Sequence, residues 1–288
     1  MKLSFRLLFP STALVSALLV IGLSNAQAAV ELREQSPIDI TSQNTTFNQN
    51  LAPLNFNLSS DTALKVINNG SPGEFKTAVR ANLVDQSSST LTVSGDTYKL
   101  AQFHFHAPAE HLENGIKFPM EMHLVFQDAS NNLLVVGRWV EEGAKNVALD
   151  PIFSNIPQNT TTTLSIDHFN LNSLLPANLD SFRYDGSLTT PPFSEGVKWV
   201  DLATPMDMSK DQINAFASLF PNPPDVNGDA RPVQDLNGRV VLTDVQGFAA
   251  PIPEPETYAM LLAGLGLIGF VASRKNRANT LTSGILPA

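Results

Sequence analysis

Two short runs constrain this chain most: Gln102-Phe103-His104-Phe105-His106 and Glu121-Met122-His123-Leu124-Val125. Both alternate residue by residue, the first between polar and aromatic side chains. In a strand, alternate residues share a face. Gln102, His104 and His106 therefore point one way, while Phe103 and Phe105 enter apolar packing. Glu121, His123 and Val125 share a face by the same rule. The link Ala107–Pro119 is long enough for the two strands to pair or neighbour, so three imidazoles can converge. Three neutral imidazoles with one open position make a catalytic zinc site. Each ligand ring needs a partner for its other N–H, and Gln102 and Glu121 stand two residues before His104 and His123. The alternative is a histidine-rich strand pair whose imidazoles are hydrogen-bonded in the core. The chain has no cysteine, which excludes disulfides, thiolate metal sites and cysteine nucleophiles. Four of its five histidines lie between positions 104 and 123.

The rest of residues 29–250 reads as one β-rich domain without internal repeats. Further runs at Ala63–Ile67, Thr90–Val93, Leu133–Val140 and Val197–Leu202 predict strands, and the two site runs extend over Gln102–His106 and Met120–Phe126. Turn signals separate them: Asn68-Asn69-Gly70, Ser94-Gly95-Asp96, Glu113-Asn114-Gly115 and Asp185-Gly186. Ser209 and Gln212 form a capping box for a helix over Ser209–Phe220 that Pro221 stops. A second short helix is expected at Asp150–Ser154. The expected class is β-dominated α+β: a single domain around a large twisted, mainly antiparallel sheet with few short helices. Asp225-Val226-Asn227-Gly228-Asp229 begins like a calcium loop. Ala230 and Leu236 replace the glycine and glutamate such a loop needs, so it reads as a turn.

The two ends read as addresses. Residues 1–28 have the form of a secretory signal: Lys2 and Arg6, an apolar run Ala13–Leu23, and Ala26-Gln27-Ala28 as an A-x-A site. Near the C-terminus, Pro253-Glu254-Pro255-Glu256 precedes an uncharged run, Tyr258–Ser273, followed by Arg274, Lys275 and Arg277. Segment 251–277 resembles the PEP-CTERM sorting signal of Gram-negative bacteria. That resemblance implies processing by an exosortase and a membrane contact through an apolar helix over 258–273. A tail, 278–288, continues past the point where that signal usually stops. The expected location is the periplasm, outer surface or extracellular matrix, with transient anchoring at the inner membrane. Between the two addresses, residues 29–250 hold 13 basic and 25 acidic residues. Such a surface repels nucleic acid and anionic lipid.

The histidine runs, together with Gln35-Ser36-Pro37-Ile38-Asp39-Ile40, Asn68-Asn69-Gly70, Ser187-Leu188-Thr189-Thr190-Pro191-Pro192 and Arg231-Pro232-Val233-Gln234, resemble the α-class carbonic anhydrases. The resemblance spans positions 35–234 in the family's order. It implies a Zn2+ enzyme that reversibly hydrates carbon dioxide through a zinc hydroxide. Zinc brings a bound water to a pKa of about 7, the value known for carbonic anhydrase itself. By resemblance, His104, His106 and His123 match the zinc ligands, and Gln102 and Glu121 match the acceptors behind His104 and His123. The backbone carbonyl at Asp229 matches the acceptor for His106, so its side chain should matter little. Thr189 matches the threonine that aims the nucleophile, and Glu110 matches the carboxylate that orients Thr189. Val125, Val135, Leu188, Val197 and Trp199, with Thr190 beside them, match the substrate wall. His111 matches a histidine that hydrogen-bonds inside the fold. His168 is expected on a surface loop.

Three departures bear on function. Ser71 stands at the family's proton-shuttle position and cannot titrate near neutral pH; Glu74 is a nearby substitute. Proton release is therefore expected to be slow and buffer-dependent. Phe193 stands where bacterial relatives often carry a cysteine. Only Ala29–Glu34 separate the expected cleavage point from Gln35, where the family has a longer aromatic segment. These departures leave an alternative: a zinc-bearing, poorly active surface or matrix binding protein. A zinc peptidase is remote, because no H-E-x-x-H run is present.

Overall fold

The computed structural model describes residues 33–69, 79–86, 88–219, 229–250, 260 and 262–268. In chain order the strands are β1 (Asp39–Ile40), β2 (Thr45–Phe47), β3 (Asn55–Asn57), β4 (Thr62–Asn68), β5 (Val79–Leu83), β6 (Thr90–Val93), β7 (Asp96–His106), β8 (Leu112–Glu113), β9 (Ile116–Lys117), β10 (Met120–Gln127), β11 (Leu133–Glu142), β12 (Thr163–Phe169), β13 (Ser181–Ser187), β14 (Glu195–Met208) and β15 (Val241–Thr243). Helices α1 (Asp150–Phe153) and α2 (Lys210–Ala217) and a 3-10 turn at Leu171–Leu174 accompany the strands. One large mixed sheet runs in the order β12-β4-β5-β7-β10-β11-β14-β13-β15-β2, with β6 on β7 and β3 on β6. Its pairs are antiparallel except β11–β14 and β15–β2. A small sheet, β1-β8-β9, stands apart.

The alternation in the sequence sorts residues onto two faces. Phe103 and Phe105 of β7, Met122, Leu124 and Phe126 of β10, Leu134 and Val136 of β11 and Val200 of β14 form one core. Val135 and Trp139 of β11, Tyr184 of β13 and Val197 and Trp199 of β14 belong to a second core on the other face. Burying each such side chain stabilises the fold by roughly 1.5–3 kcal/mol. The histidines lie on the face of the second core. Hairpin turns follow the expected chemistry: Ser94 and Gly95 both have positive φ between β6 and β7, as do Asn114 and Gly115 between β8 and β9.

Some sequence expectations need correction. Asp185-Gly186 is not a turn but part of β13. Gly186 is small because a Cβ there would collide with the Ser36 hydroxyl and crowd Trp199. His168 lies in the edge strand β12, not a loop; its side chain is exposed and its Nδ1 sits 2.9 Å from Asp61 Oδ1. The sequence pattern did not mark β5, β12, β13 or β15, whose runs are short or carry charges. Helix α2 has the expected capping box but ends at Ala217, where the Ser218 N–H bonds back to Asn214 and Phe216. Phe220, Pro221 and residues 225–228 lie outside the described residues, as do Ser71, Glu74 and the whole of 1–28. Residues 262–268 are helical with exposed apolar side chains, and no helix among the described residues is long and apolar enough to cross a membrane. The rest of the expected helix 258–273, apart from Met260, and the tail 278–288 also lie outside them.

Candidate metal centre

Register brings the histidines together. β7 and β10 pair antiparallel with His104 opposite His123 and His106 opposite Glu121. His104 and His106 are neighbours on one face of β7, so their rings lie 5.1 Å apart, and each is about 5 Å from the His123 ring. His123 Nδ1 lies 3.3 Å from His104 Nε2. One nitrogen from each of the three rings falls within 4.8 Å of the others, and all three residues are buried.

The outward nitrogens of two of the rings are taken. His104 Nδ1–H donates to Gln102 Oε1 at 2.9 Å, and His123 Nε2–H donates to Glu121 Oε1 at 2.9 Å. That leaves His104 Nε2 and His123 Nδ1 as lone pairs facing inward. Neither ring nitrogen of His106 has a hydrogen-bond partner, although both are buried. A tetrahedral cation with Zn–N bonds of about 2.0–2.1 Å holds its nitrogens about 3.3 Å apart. The donor type, the spacing and the unpartnered His106 all fit such an ion.

Electrostatics support the same reading at two of the three rings; the third, His106, must give up a proton to bind a cation. Burial, then His106 and His123, push the His104 imidazole well below its usual range, and burial lowers His123. Both are neutral, as ligands must be. Burial also opposes charge on His106, but Glu110 and Asp229 outweigh it and push that ring up to about 9. Burial would raise Glu121, yet His111 and His123 hold it well below the usual carboxylate range. Glu121 is fixed from four sides: Oε2 accepts from the backbone N–H of Glu110 and His111, both at 2.8 Å, and Oε1 takes His111 Nδ1–H and His123 Nε2–H. His111 is thus internal, as expected, with Nε2 2.6 Å from the Tyr184 hydroxyl.

The apolar wall assembles beside the cluster. Val135, Val197 and Trp199 are buried in the second core, with Val125 and Leu188 packed against it. The Trp199 ring lies 4.9 Å from His123. Thr189 is buried and Thr190 half-buried in the loop between β13 and β14. Glu110 Oε2 lies 3.4 Å from His106 Nε2, and Oε1 accepts from the Arg231 N–H. Glu110 Oε2 has no hydrogen-bond partner, so the expected bond to Thr189 is not formed in this structure.

Asp229 departs from expectation. Its side chain takes part: Oδ1 accepts the Ala107 N–H at 3.0 Å, and Oδ2 lies 3.4 Å from His106 Nδ1. Asp229→Ala would strand a buried N–H beside a metal-site histidine. A loss of about 1–3 kcal/mol of stability is expected, read as a lowered midpoint in thermal unfolding, whereas an unchanged midpoint would return the role to the backbone. The sequence reading also passed over Tyr184, Ser36 and Asp201. Asp201 had a signal, a carboxyl on the same strand face as Val197 and Trp199.

A family model described as eukaryotic-type carbonic anhydrase matches residues 24–245. The chain belongs to the α-carbonic anhydrase family. A carbonic anhydrase of Klebsiella pneumoniae is 39% identical over 209 residues, covering 72% of this chain and 79% of the relative. One from Nostoc is 38% identical over 216 residues, covering 73% and 75%. The solved α-carbonic anhydrase of Thermovibrio ammonificans, in complex with the inhibitor sulfanilamide, superposes with a TM-score of 0.65 at 35% identity, covering 73% of this chain and 87% of that one. Residues 251–275 match a PEP-CTERM protein-sorting motif. The three histidines fall on the face of the carbonic anhydrase sheet that carries the second core.

Proposed function

We propose that this enzyme reversibly hydrates carbon dioxide to bicarbonate and a proton, with Zn2+ held by His104, His106 and His123. One observation carries the reading: three buried ring nitrogens converge while Gln102 and Glu121 occupy the outward nitrogens of two of the rings. Zinc in that site supplies the Lewis acidity that makes water a nucleophile near neutral pH. Gln102 and Glu121 fix the tautomers of His104 and His123, so the inward lone pairs are available. Thr189 orients the attacking oxygen by accepting its hydrogen, and Glu110 Oε2, which has no hydrogen-bond partner in this structure, is the acceptor to which the Thr189 hydroxyl would turn. Val125, Val135, Leu188, Val197 and Trp199 exclude competing water and hold an apolar substrate, with Thr190 at the edge. Ser71 offers no titrating group, so the product proton leaves by way of buffer.

A carbon dioxide hydration assay on protein before and after chelation tests this. Activity should vanish with the metal, return with one equivalent of Zn2+, and rise with added imidazole. Turnover that survives complete metal removal would sink the assignment. Turnover that is fast and insensitive to imidazole would leave the metal reading intact but refute buffer-borne proton release.

The address reading accompanies this. Residues 1–28 act as a signal peptide, 29–250 form the enzyme, and 251–277 direct sorting by exosortase-type machinery in a Gram-negative bacterium, with 278–288 as a tail. The PEP-CTERM match supports it. Intact mass of exported protein distinguishes a cut from an uncut terminus.

A further inference from the structure

The loop carrying Thr189 is short, and its own bonds are few. Leu188 N–H donates to Ser194 O and Phe193 N–H donates to Thr190 O, both at 2.9 Å. Phe193 has φ +61, the left-handed region that a non-glycine residue enters at a cost. Something outside the loop must hold it there. The Arg231 guanidinium lies 3.8 Å from the centre of the Phe193 ring. Arg231 Nη1 donates to Ser36 O at 2.6 Å and Nη2 to Gln35 Oε1 at 2.9 Å. Gln35 Nε2 in turn donates to Phe193 O at 3.1 Å. The Arg231 backbone N–H meets Glu110 Oε1 at 2.8 Å. One residue thereby ties the Thr189 loop to the 35–36 segment and to the carboxyl beside His106.

We propose that the stack of Arg231 on Phe193 is a clamp that fixes the loop carrying Thr189, the residue assigned above to orient the nucleophile. Phe193 and Arg231 are then positioning residues for the reaction, and this rests on the hydration reading above. The chemistry favours a stack over plain packing. Both residues are partly exposed, so apolar packing and the ring face can both contribute, and the substitutions below separate the two. A cation over the ring face is attracted by the quadrupole, and a planar guanidinium can stack while its edge nitrogens keep their carbonyl partners. The loop's strained residue is held by its own side chain and carbonyl together.

The test compares Phe193→Leu, Phe193→Tyr and Arg231→Lys in the zinc-loaded protein. Leucine keeps the bulk and the backbone constraint but loses the ring face; tyrosine keeps the face; lysine keeps the charge but loses the plane. Amide exchange over residues 189–194 should speed up about fivefold in Phe193→Leu and Arg231→Lys and stay at the wild-type rate in Phe193→Tyr. kcat/KM for hydration should fall by about the same factor, with zinc content unchanged and the Phe193→Leu midpoint within about 2 °C of wild type. Unchanged exchange in Phe193→Leu, or an equal loss in Phe193→Tyr, overturns the clamp. Faster exchange with undiminished kcat/KM overturns its positioning role. Should the wild-type protein prove unable to hydrate carbon dioxide, the proposed function fails on its own, while the exchange comparison still decides the clamp.

Discussion

His104→Ala should leave a folded protein that neither holds zinc nor hydrates carbon dioxide. His104 supplies one of the three converging nitrogens and faces His123 Nδ1 at 3.3 Å. Loss of a partner behind a metal ligand costs about 10–100-fold in metal affinity, and loss of the ligand itself exceeds that. Gln102→Ala gives the intermediate case, since it frees the His104 ring to turn without removing it. The fold should survive because the opposite face of β7 is anchored independently by Phe103 and Phe105 in the first core. Zinc content by elemental analysis and hydration by stopped flow read the outcome. Full activity in His104→Ala would exclude the three-histidine mechanism.

Asp201→Asn should stabilise the protein in mild alkali relative to mild acid. Asp201 is buried on β14 opposite Gly137, where a Cβ would collide with its carboxyl. Neither carboxyl oxygen has a hydrogen-bond partner, and the nearest cationic group, His111 Nε2, is 3.9 Å away. Burial pushes its pKa up to about 7, against the pull of His111. Glu121 and the Tyr184 hydroxyl also face this cluster, and Asp201 helps to raise Tyr184 well above 10. An acid whose pKa rises on folding costs stability. The cost begins above its unfolded value of 3.8 and is complete above about 7. Asparagine removes that dependence. Between pH 6 and pH 8, the advantage of Asp201→Asn over wild type should grow by about 1.4 kcal/mol, one pKa unit's worth. That equals about 3–5 °C in the difference between unfolding midpoints for a domain this size. Comparing the two pH values cancels whatever the buried amide itself costs. A difference that is flat, or that shrinks as pH rises, would show Asp201 to be ionised and compensated in the fold.

Much of the centre was legible because strand alternation is a local property. Gln102, His104 and His106 must share a face if the run is extended, whatever the rest of the chain does, and β10 obeys the same rule. The capping box at Ser209 and the Asn114-Gly115 hairpin are equally local. Asp185-Gly186 misled because the pair favours turns, whereas here Gly186 is required by close approach to Ser36, 150 residues earlier in the chain. Strand β12 escaped because an edge strand exposes polar residues on both sides, leaving Asp167 and His168 to break the pattern.

By itself the chain's order of residues determined which side chains lie on a common face, where the main strands fall, and which donor types are present to hold a metal. Tertiary structure alone decided that His104 stands opposite His123, that Asp229 reaches the His106 ring by its side chain, that Asp201 is sealed without a partner, and that Arg231 stacks on Phe193. The reason is physical: facing is set by the two-residue period of the backbone, whereas register, burial and contacts between distant segments depend on how the whole sheet packs.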